Sequence, residues 1–410
     1  MAITDKEQGV WGLDQVYNKI NQGGIWDYDG IDAWFCMGKN VYGDLGLNAA
    51  SPWGDAGRSS PTQLPGTTWS RIHSSGGRGY RGLKTDGTAW AWGYNNAGQL
   101  GINLGKWHPS VIVDRSSPTQ IGADTTWGST FSSDDSTTMW IKTDGTLWSW
   151  GYNPQGRLGL NDQVLRSSPT QVGTNTTWKD VLAASGCTYA VKTDGTMWSW
   201  GTNGRGGLGL NEMGLHPQWL TSRSSPTQVG TDTTWDRLGG CASQLAFAIK
   251  TDGTTWSWGY DQYGKLGRNV QLVSLSSPTQ LPGSWNHFTQ SYSHVLGVKT
   301  DGTLWSWGYN QYGPLGQNQA KAQLAALSSP TQIPGTTWNE VAGGYVTSAA
   351  TKTDGTLWTW GENEGGQLGL NDRGGAPDYL TSRSSPTQVP GTGWSDPSAT
   401  REEFFVKKLL

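Results

Sequence analysis

Residues 301–316 read Asp-Gly-Thr-Leu-Trp-Ser-Trp-Gly-Tyr-Asn-Gln-Tyr-Gly-Pro-Leu-Gly, and the same order of D-G, W-x-W-G and G-x-L-G returns along the chain with small changes. The D-G pairs within T-D-G-T fall at Asp86, Asp144, Asp194, Asp252, Asp301 and Asp354, and the pentapeptide Ser-Ser-Pro-Thr-Gln begins at Ser59, Ser116, Ser167, Ser224, Ser276, Ser328 and Ser384. Successive pentapeptides lie 51 to 57 residues apart, a period that suits a four-stranded propeller blade and not a helical repeat. Seven such periods use residues 31–410, so a length that would otherwise suggest several domains is one ring.

The stretch 167–209 shows the order inside one period. It predicts strand A at 181–184, whose small residues suit the crowded inner edge of a blade, strand B at 188–192, strand C at 196–200, and strand D after the next Ser-Ser-Pro. Asp194-Gly195 between B and C is expected to supply the positive φ angles of a type I′ hairpin. The seventh D-G pair is missing. Ala33-Trp34-Phe35-Cys36-Met37-Gly38 matches strand C, with Phe35 and Met37 in place of the tryptophan pair, and Phe404-Phe405-Val406-Lys407-Lys408 matches strand B. One blade is therefore expected to take A and B from the C-terminus and C and D from the N-terminus, which locks the ring and pairs strands that would otherwise be exposed edges. The fold class is all-β: a seven-bladed β-propeller of four-stranded blades over 31–410, preceded by a short N-terminal arm over 1–30.

Composition removes several function classes. The chain has 60 glycines and 26 tryptophans, only 15% charged residues and a net charge of -3. Aromatic richness excludes a disordered chain, and the absence of a basic run removes the footprint of a nucleic-acid binder. No run of about 18 apolar residues occurs, so no membrane insertion is expected, and the first residues lack the apolar core of a signal peptide. Cys36, Cys187 and Cys241 form no C-x-x-C pair and read as buried structural thiols, the last two at equivalent positions of successive blades.

Nineteen of the 26 tryptophans occupy two repeat positions: the T-T-W series at Trp69, Trp127, Trp178, Trp235, Trp285, Trp338 and Trp394, and six W-x-W pairs such as Trp148/Trp150. Residues i and i+2 of a strand share a face, so each pair is expected to pack on a neighbouring blade. Trp53, Trp107, Trp219 and Tyr379 fall outside this pattern, in the loops between strands C and D. Antiparallel order puts those loops on the face opposite the D-G turns, where their rings suit sugar stacking or a protein partner, or fold back over the blade edges. In the arm, Leu13, Val16, Tyr17 and Ile20 follow helical spacing, with Trp11 and Trp26 flanking them. So short a helix needs a surface to dock on, either the propeller's own rim or a larger particle.

Enzyme chemistry finds no support. No G-x-S-x-G, H-E-x-x-H or phosphate loop occurs, and His73, His108, His216, His287 and His294 have no ligand spacing. Asp27, Asp29 and Asp32 lack the downstream acidic residue of a calcium loop. No cofactor and no metal is expected.

The run at 301–316, in its seven copies, resembles the regulator of chromosome condensation repeat family. That resemblance implies a seven-bladed propeller and leaves function open among nucleotide exchange factors, enzyme inhibitors and interaction platforms. Only His294 matches the histidine that the family often carries near the start of strand B, and neither a long inserted hairpin nor a basic tail is present; exchange activity and chromatin binding are therefore not expected. Gly9-Val10-Trp11-Gly12-Leu13, Val16-Tyr17 and Gly24-Ile25-Trp26 resemble a leader found on virion proteins of marine tailed phages. Two functional readings follow. The first is a non-enzymatic virion protein, decorating the capsid or joined to the tail or baseplate, held by other virion structural proteins and contacting a host surface glycan or receptor; its location would be the virion, after synthesis in the host cytoplasm. The alternative is a soluble propeller that binds or inhibits a cellular protein or recognises a glycan.

Overall fold

The computed structural model describes residues 32–50, 56–73, 78–105, 114–134, 136–184, 186–213, 221–242, 244–270, 272–319, 323–374, 381–400 and 402–410, with the backbone alone at 241 and 242. These residues form seven antiparallel sheets of four strands each, one per blade. Numbered by their A strands, blades 1 to 6 span 69–120, 127–171, 178–228, 235–281, 285–333 and 338–389. Blade 7 takes A (Trp394–Ala399) and B (Glu403–Leu409) from the C-terminal end and C (Asp32–Gly38) and D (Arg58–Gln63) from the N-terminal end. Residues 32–38 pair with 403–409 in unbroken register, so the ring closes as the sequence predicts.

Blade 3 shows how the repeat folds, and it corrects three expectations. Strand A is Trp178–Ala184 and begins at the T-T-W tryptophan; B is Cys187–Lys192 and C is Met197–Gly201. Strand D is Arg223–Gln228, so Ser-Ser-Pro-Thr-Gln is the strand itself and not its approach. Proline is tolerated there because D is the outermost strand, bonded on one side only, and because the ladder is irregular between Ser199 and Gly201 opposite it. The turn at Asp194-Gly195 is not type I′. Asp194 keeps a negative φ, Gly195 alone is left-handed at φ +77, and Gly195 N–H bonds to Lys192 O at 3.0 Å. That is a type I turn closed by a glycine bulge. Finally, Cys187 opens strand B whereas Cys241 lies near the end of strand A of blade 4, paired with Ala246; Leu245 holds the position equivalent to Cys187. Cys36 and Cys187 are free and buried, and burial pushes both thiols up to about 12.

The core is interblade. Between blades 2 and 3, Met139, Ile141, Leu147 and Leu158 meet Trp178, Val181, Ala190 and Trp200. The second tryptophan of each pair is fully buried and donates its indole N–H to a backbone carbonyl in the C–D loop of the preceding blade. The bonds are Trp92 to Asp44, Trp150 to Gln99, Trp200 to Arg157, Trp258 to Gly207, Trp307 to Lys265 and Trp360 to Pro314, at 2.7–3.0 Å. The first tryptophan stays half-buried and donates to a threonine hydroxyl that in turn donates to the turn aspartate, as in Trp305–Thr303–Asp301. Met37 takes the buried tryptophan's place in blade 7, and its sulfur lies where Gly369 would otherwise have room for a Cβ.

Candidate interaction surfaces

The C–D loops and A–B turns share one face, and the structure equips that face with aromatic rings. Each W-G is followed by a residue at the root of the C–D loop, a tyrosine in four blades: Tyr94, Tyr152, Tyr260 and Tyr309. Across blade junctions, Tyr42 meets Tyr94 edge-on at 4.8 Å, Tyr263 stacks on Tyr309 at 4.5 Å, and the Arg205 guanidinium lies 4.3 Å from the Tyr260 ring. Tyr292 and Tyr345, on the A–B turns of blades 5 and 6, stack at 4.3 Å. Seven of the nine exposed large apolar side chains among the described residues lie on this face: Tyr152, Val164, Met213, Val270, Leu272, Val273 and Tyr292. The other two, Leu409 and Leu410, lie at the opposite end of blade 7. Leu272 is 76% exposed and held at φ +64, a conformation that penalises a bulky side chain. With Val270 and Val273 it forms an apolar tip on the blade 4 loop.

Beneath this face the buried polar groups brace one blade on the next. His294 is buried, with Nε2 2.7 Å from the Ser348 hydroxyl of blade 6 and Nδ1 2.7 Å from Ser291. Burial and the nearby Lys265 hold it down to about 3, so it stays neutral. Lys265, pushed down to about 8 by burial, donates to Tyr292 O at 2.8 Å and so ties the blade 4 loop to the blade 5 turn. His294, the one residue matching the family histidine, is thus a structural bracket.

The opposite end of the central channel carries charge. A cavity of about 320 Å³ is lined by Arg71, Asp180, His287, Glu340 and Asp396, each two places after a T-T-W tryptophan, and Arg237 holds the same position in blade 4. Asp180 accepts the N–H of Leu238 in blade 4 at 2.7 Å, and Glu340 accepts that of Asp396 in blade 7 at 2.8 Å. Arg71 and Arg237 each donate to a carbonyl of the following blade. Burial raises the Asp180 and Glu340 carboxyls, and these N–H bonds offset part of the rise. The ring joins blades and presents both signs of charge, and within it the Ser398 hydroxyl lies 3.4 Å from Nδ1 of His73, which burial holds down to about 3. Among the described residues no group of three or more His, Cys, Asp or Glu is placed to hold a metal, and no helix is long and apolar enough to cross a membrane.

Trp53, Trp107, Trp219 and Tyr379 lie outside the described residues, as do the arm positions Trp11, Leu13, Val16, Tyr17, Ile20 and Trp26 and the acidic Asp27 and Asp29. Asp32 is described and pairs with Lys407 at 2.5 Å. Sequence reasoning missed the interblade tyrosine contacts and the Leu272 tip. The recurring W-G-Y-N and the Tyr42, Tyr263 and Tyr312 positions before the loop glycine were the available signal.

A family model described as an RCC1-like domain matches residues 33–401. Two human proteins, the probable E3 ubiquitin-protein ligases HERC6 and HERC3, are each 30% identical to this chain over 139 and 134 residues. Those stretches are 34% and 32% of this chain but only 13% and 12% of the two ligases. Human WBSCR16 superposes with a TM-score of 0.75 at 19% identity, covering 92% of this chain and 98% of that one. Prp20p of Saccharomyces cerevisiae, described with its binding to Gsp1p and histones, superposes with a TM-score of 0.75 at 18% identity, covering 93% and 92%. At these identities the likeness is one of fold.

Proposed function

We propose that this chain, which belongs to the RCC1-like domain family, is a protein-binding module whose C–D loop face takes a macromolecular partner. The observation that carries this reading is the concentration of exposed apolar side chains on that one face, with an apolar tip at Val270, Leu272 and Val273 and tyrosines stacked across blade junctions. Hot spots of protein interfaces are rich in aromatic anchors, and the bracing beneath this face fixes its rings before a partner arrives. The yeast protein of similar fold binds protein partners, Gsp1p and histones, and another solved structure of it is a complex with Kap60. The ligase names belong to proteins of which the matched stretch is about an eighth, so a binding role suits the shared part better than their activity. The virion reading rests on residues 9–26, outside the described residues and before the family match at residue 33; it draws no support from the fold. Trp53, Trp107, Trp219 and Tyr379 fall in sequence between strands C and D, and we place them on the same binding face.

Face-directed variants test the proposal. Leu272→Asp combined with Tyr292→Asp is expected to abolish co-purification of a bound protein from a lysate of the native host, while Leu409→Asp at the other end of the ring retains it. Retention by the first variant together with loss by the second would place binding on the wrong face. Binding of wild type to a glycan array, with no protein captured, would favour the sugar alternative.

A further inference from the structure

The grooves between blades 1 and 2 and between blades 2 and 3 are lined residue for residue by equivalent side chains. The first, of about 530 Å³, places Lys142 between Trp127 and Trp148 with Asp124 beside it. The second, of about 380 Å³, places Lys192 between Trp178 and Trp198 with Asn175 beside it. The ammonium of Lys142 lies 4.9 and 4.0 Å from its two ring centres, and that of Lys192 lies 4.8 and 4.0 Å from its own. The lysine stands alike over its two rings in both grooves, and Asn175 stands where the first has Asp124.

Asp124 accepts through Oδ1 from the N–H and hydroxyl of Thr126, at 2.9 and 2.7 Å, and gives Oδ2 to Lys142. Blade 4 repeats this with Asp232, Thr234 and Lys250. Asn175 uses its Oδ1 in the same way, accepting from the N–H and hydroxyl of Thr177 at 3.1 and 2.6 Å. Its Nδ2, a donor, therefore lies on the side where the aspartates present an acceptor. Lys192 is only 8% exposed, and among the described residues its ammonium has neither an ion pair nor a hydrogen bond. The equivalent lysines Lys84, Lys142, Lys250, Lys299, Lys352 and Lys408 are less deeply buried. Trp178 Nε1 is a buried donor without an acceptor among the described residues, as are its equivalents in Trp127, Trp235, Trp338 and Trp394. Burial lowers the Lys192 pKa, and Asp194 offsets part of that. A buried ammonium facing an amide donor is unfavourable until an acceptor fills the space between them.

We propose that the groove between blades 2 and 3 binds a carboxylate carried on an apolar body, its oxygens accepting from Lys192 Nζ and Asn175 Nδ2 where Asp124 and Asp232 serve in blades 2 and 4. One lysine balances one negative charge, so a monoanion fits; a phosphate dianion would leave uncompensated charge against apolar walls. Leu160, Trp198 and Pro226 receive the apolar part. The site stands on the outer rim and does not depend on the loop-face reading. A free carboxylic acid and a glutamate side chain on a partner share the required chemistry.

Calorimetry on the full chain tests this with phenylacetate against phenylacetamide, and with acetyl-Phe-Glu-Phe-amide against its glutamine counterpart. At least one carboxylate probe is expected to bind and its uncharged counterpart to fail, the first pair marking a small-molecule ligand and the second a peptide. Lys192→Met is expected to weaken binding by about 10- to 100-fold. Asn175→Asp should do the same by supplying an internal carboxylate, without loss of thermal stability, so the test survives if the lysine variant folds poorly. Failure of both carboxylate probes, equal binding of an uncharged counterpart, or unchanged binding by Asn175→Asp would overturn the proposal.

Discussion

Each W-x-W pair divides its labour between two environments. Trp307 is fully buried and donates to Lys265 O of the preceding blade at 2.7 Å, whereas Trp305 is half-buried and donates to Thr303. Trp307→Phe leaves a buried carbonyl without its donor and is expected to cost about 1–3 kcal/mol. Trp305→Phe, whose threonine partner can turn to water, should cost less than about 1 kcal/mol; urea unfolding of the two variants compares them directly. The aspartates Asp124 and Asp232 are held down to about 2, first by hydrogen bonds from Lys142 and Lys250 and then by Thr126 and Thr234. Their folded-state pKa lies below the unfolded value of 3.8, so the stability they contribute is present above that value and is lost as pH falls towards 2. Asp124→Asn combined with Asp232→Asn should flatten this acid limb of a melting-temperature profile; an unchanged limb would count against the pairing. At this scale the sequence was legible wherever a residue recurred. Indole partners were not, because the bond from Trp307 reaches a backbone carbonyl 42 positions away, and a carbonyl leaves no mark in the sequence. Cys241 was misplaced because Gly240-Cys241 repeats the local Gly186-Cys187 pair, although it lies six residues after Trp235 and Cys187 nine after Trp178.

The outer strand and the closing blade are the elements that needed three-dimensional information. Strand D was expected only after Ser-Ser-Pro, yet it holds Pro226 because a lone edge needs no proline N–H. That edge is capped by the preceding blade: in all seven cases a left-handed asparagine of the C–D loop donates its N–H to the first serine carbonyl, as Asn211 does to Ser276 at 2.7 Å. The closeness requires glycine at Gly206, φ +73, where a Cβ would lie 2.7 Å from Ser276 Cα. Gly206→Ala is therefore expected to destabilise by more than about 1 kcal/mol, measured by thermal unfolding. In the closing blade, burial raises Asp44 to about 6 and holds Glu403 well above the usual carboxylate range. An acid whose folded pKa is raised favours folding below its unfolded pKa, and that contribution disappears as pH rises through the folded value. The melting temperature should thus fall as pH rises through 6, and Glu403→Gln should reduce the fall. The composite blade itself was readable, because the missing seventh D-G pair and the half-repeats at both ends of the chain could close in only one way.

At the scale of the molecule, the ring is a rigid frame with chemically different faces. Interblade cores, indole bonds and asparagine caps join each blade to its neighbour, and the loop face carries most of the exposed apolar side chains. That the C–D loops and A–B turns share one face was legible from strand order. Which residues make that face apolar was less legible, because Leu272, Tyr292 and Tyr345 sit in segments without a repeat signature, and the loop aromatics chosen from sequence lie outside the described residues. Hydrogen–deuterium exchange on the chain alone and on its complex with a co-purified protein shows which face of the ring the partner covers. A partner on the loop face is expected to add protection at 260–274, 291–293 and 344–346 while the D-G turns exchange as before. Added protection confined to those turns, with the loop face unchanged, would contradict the loop-face reading.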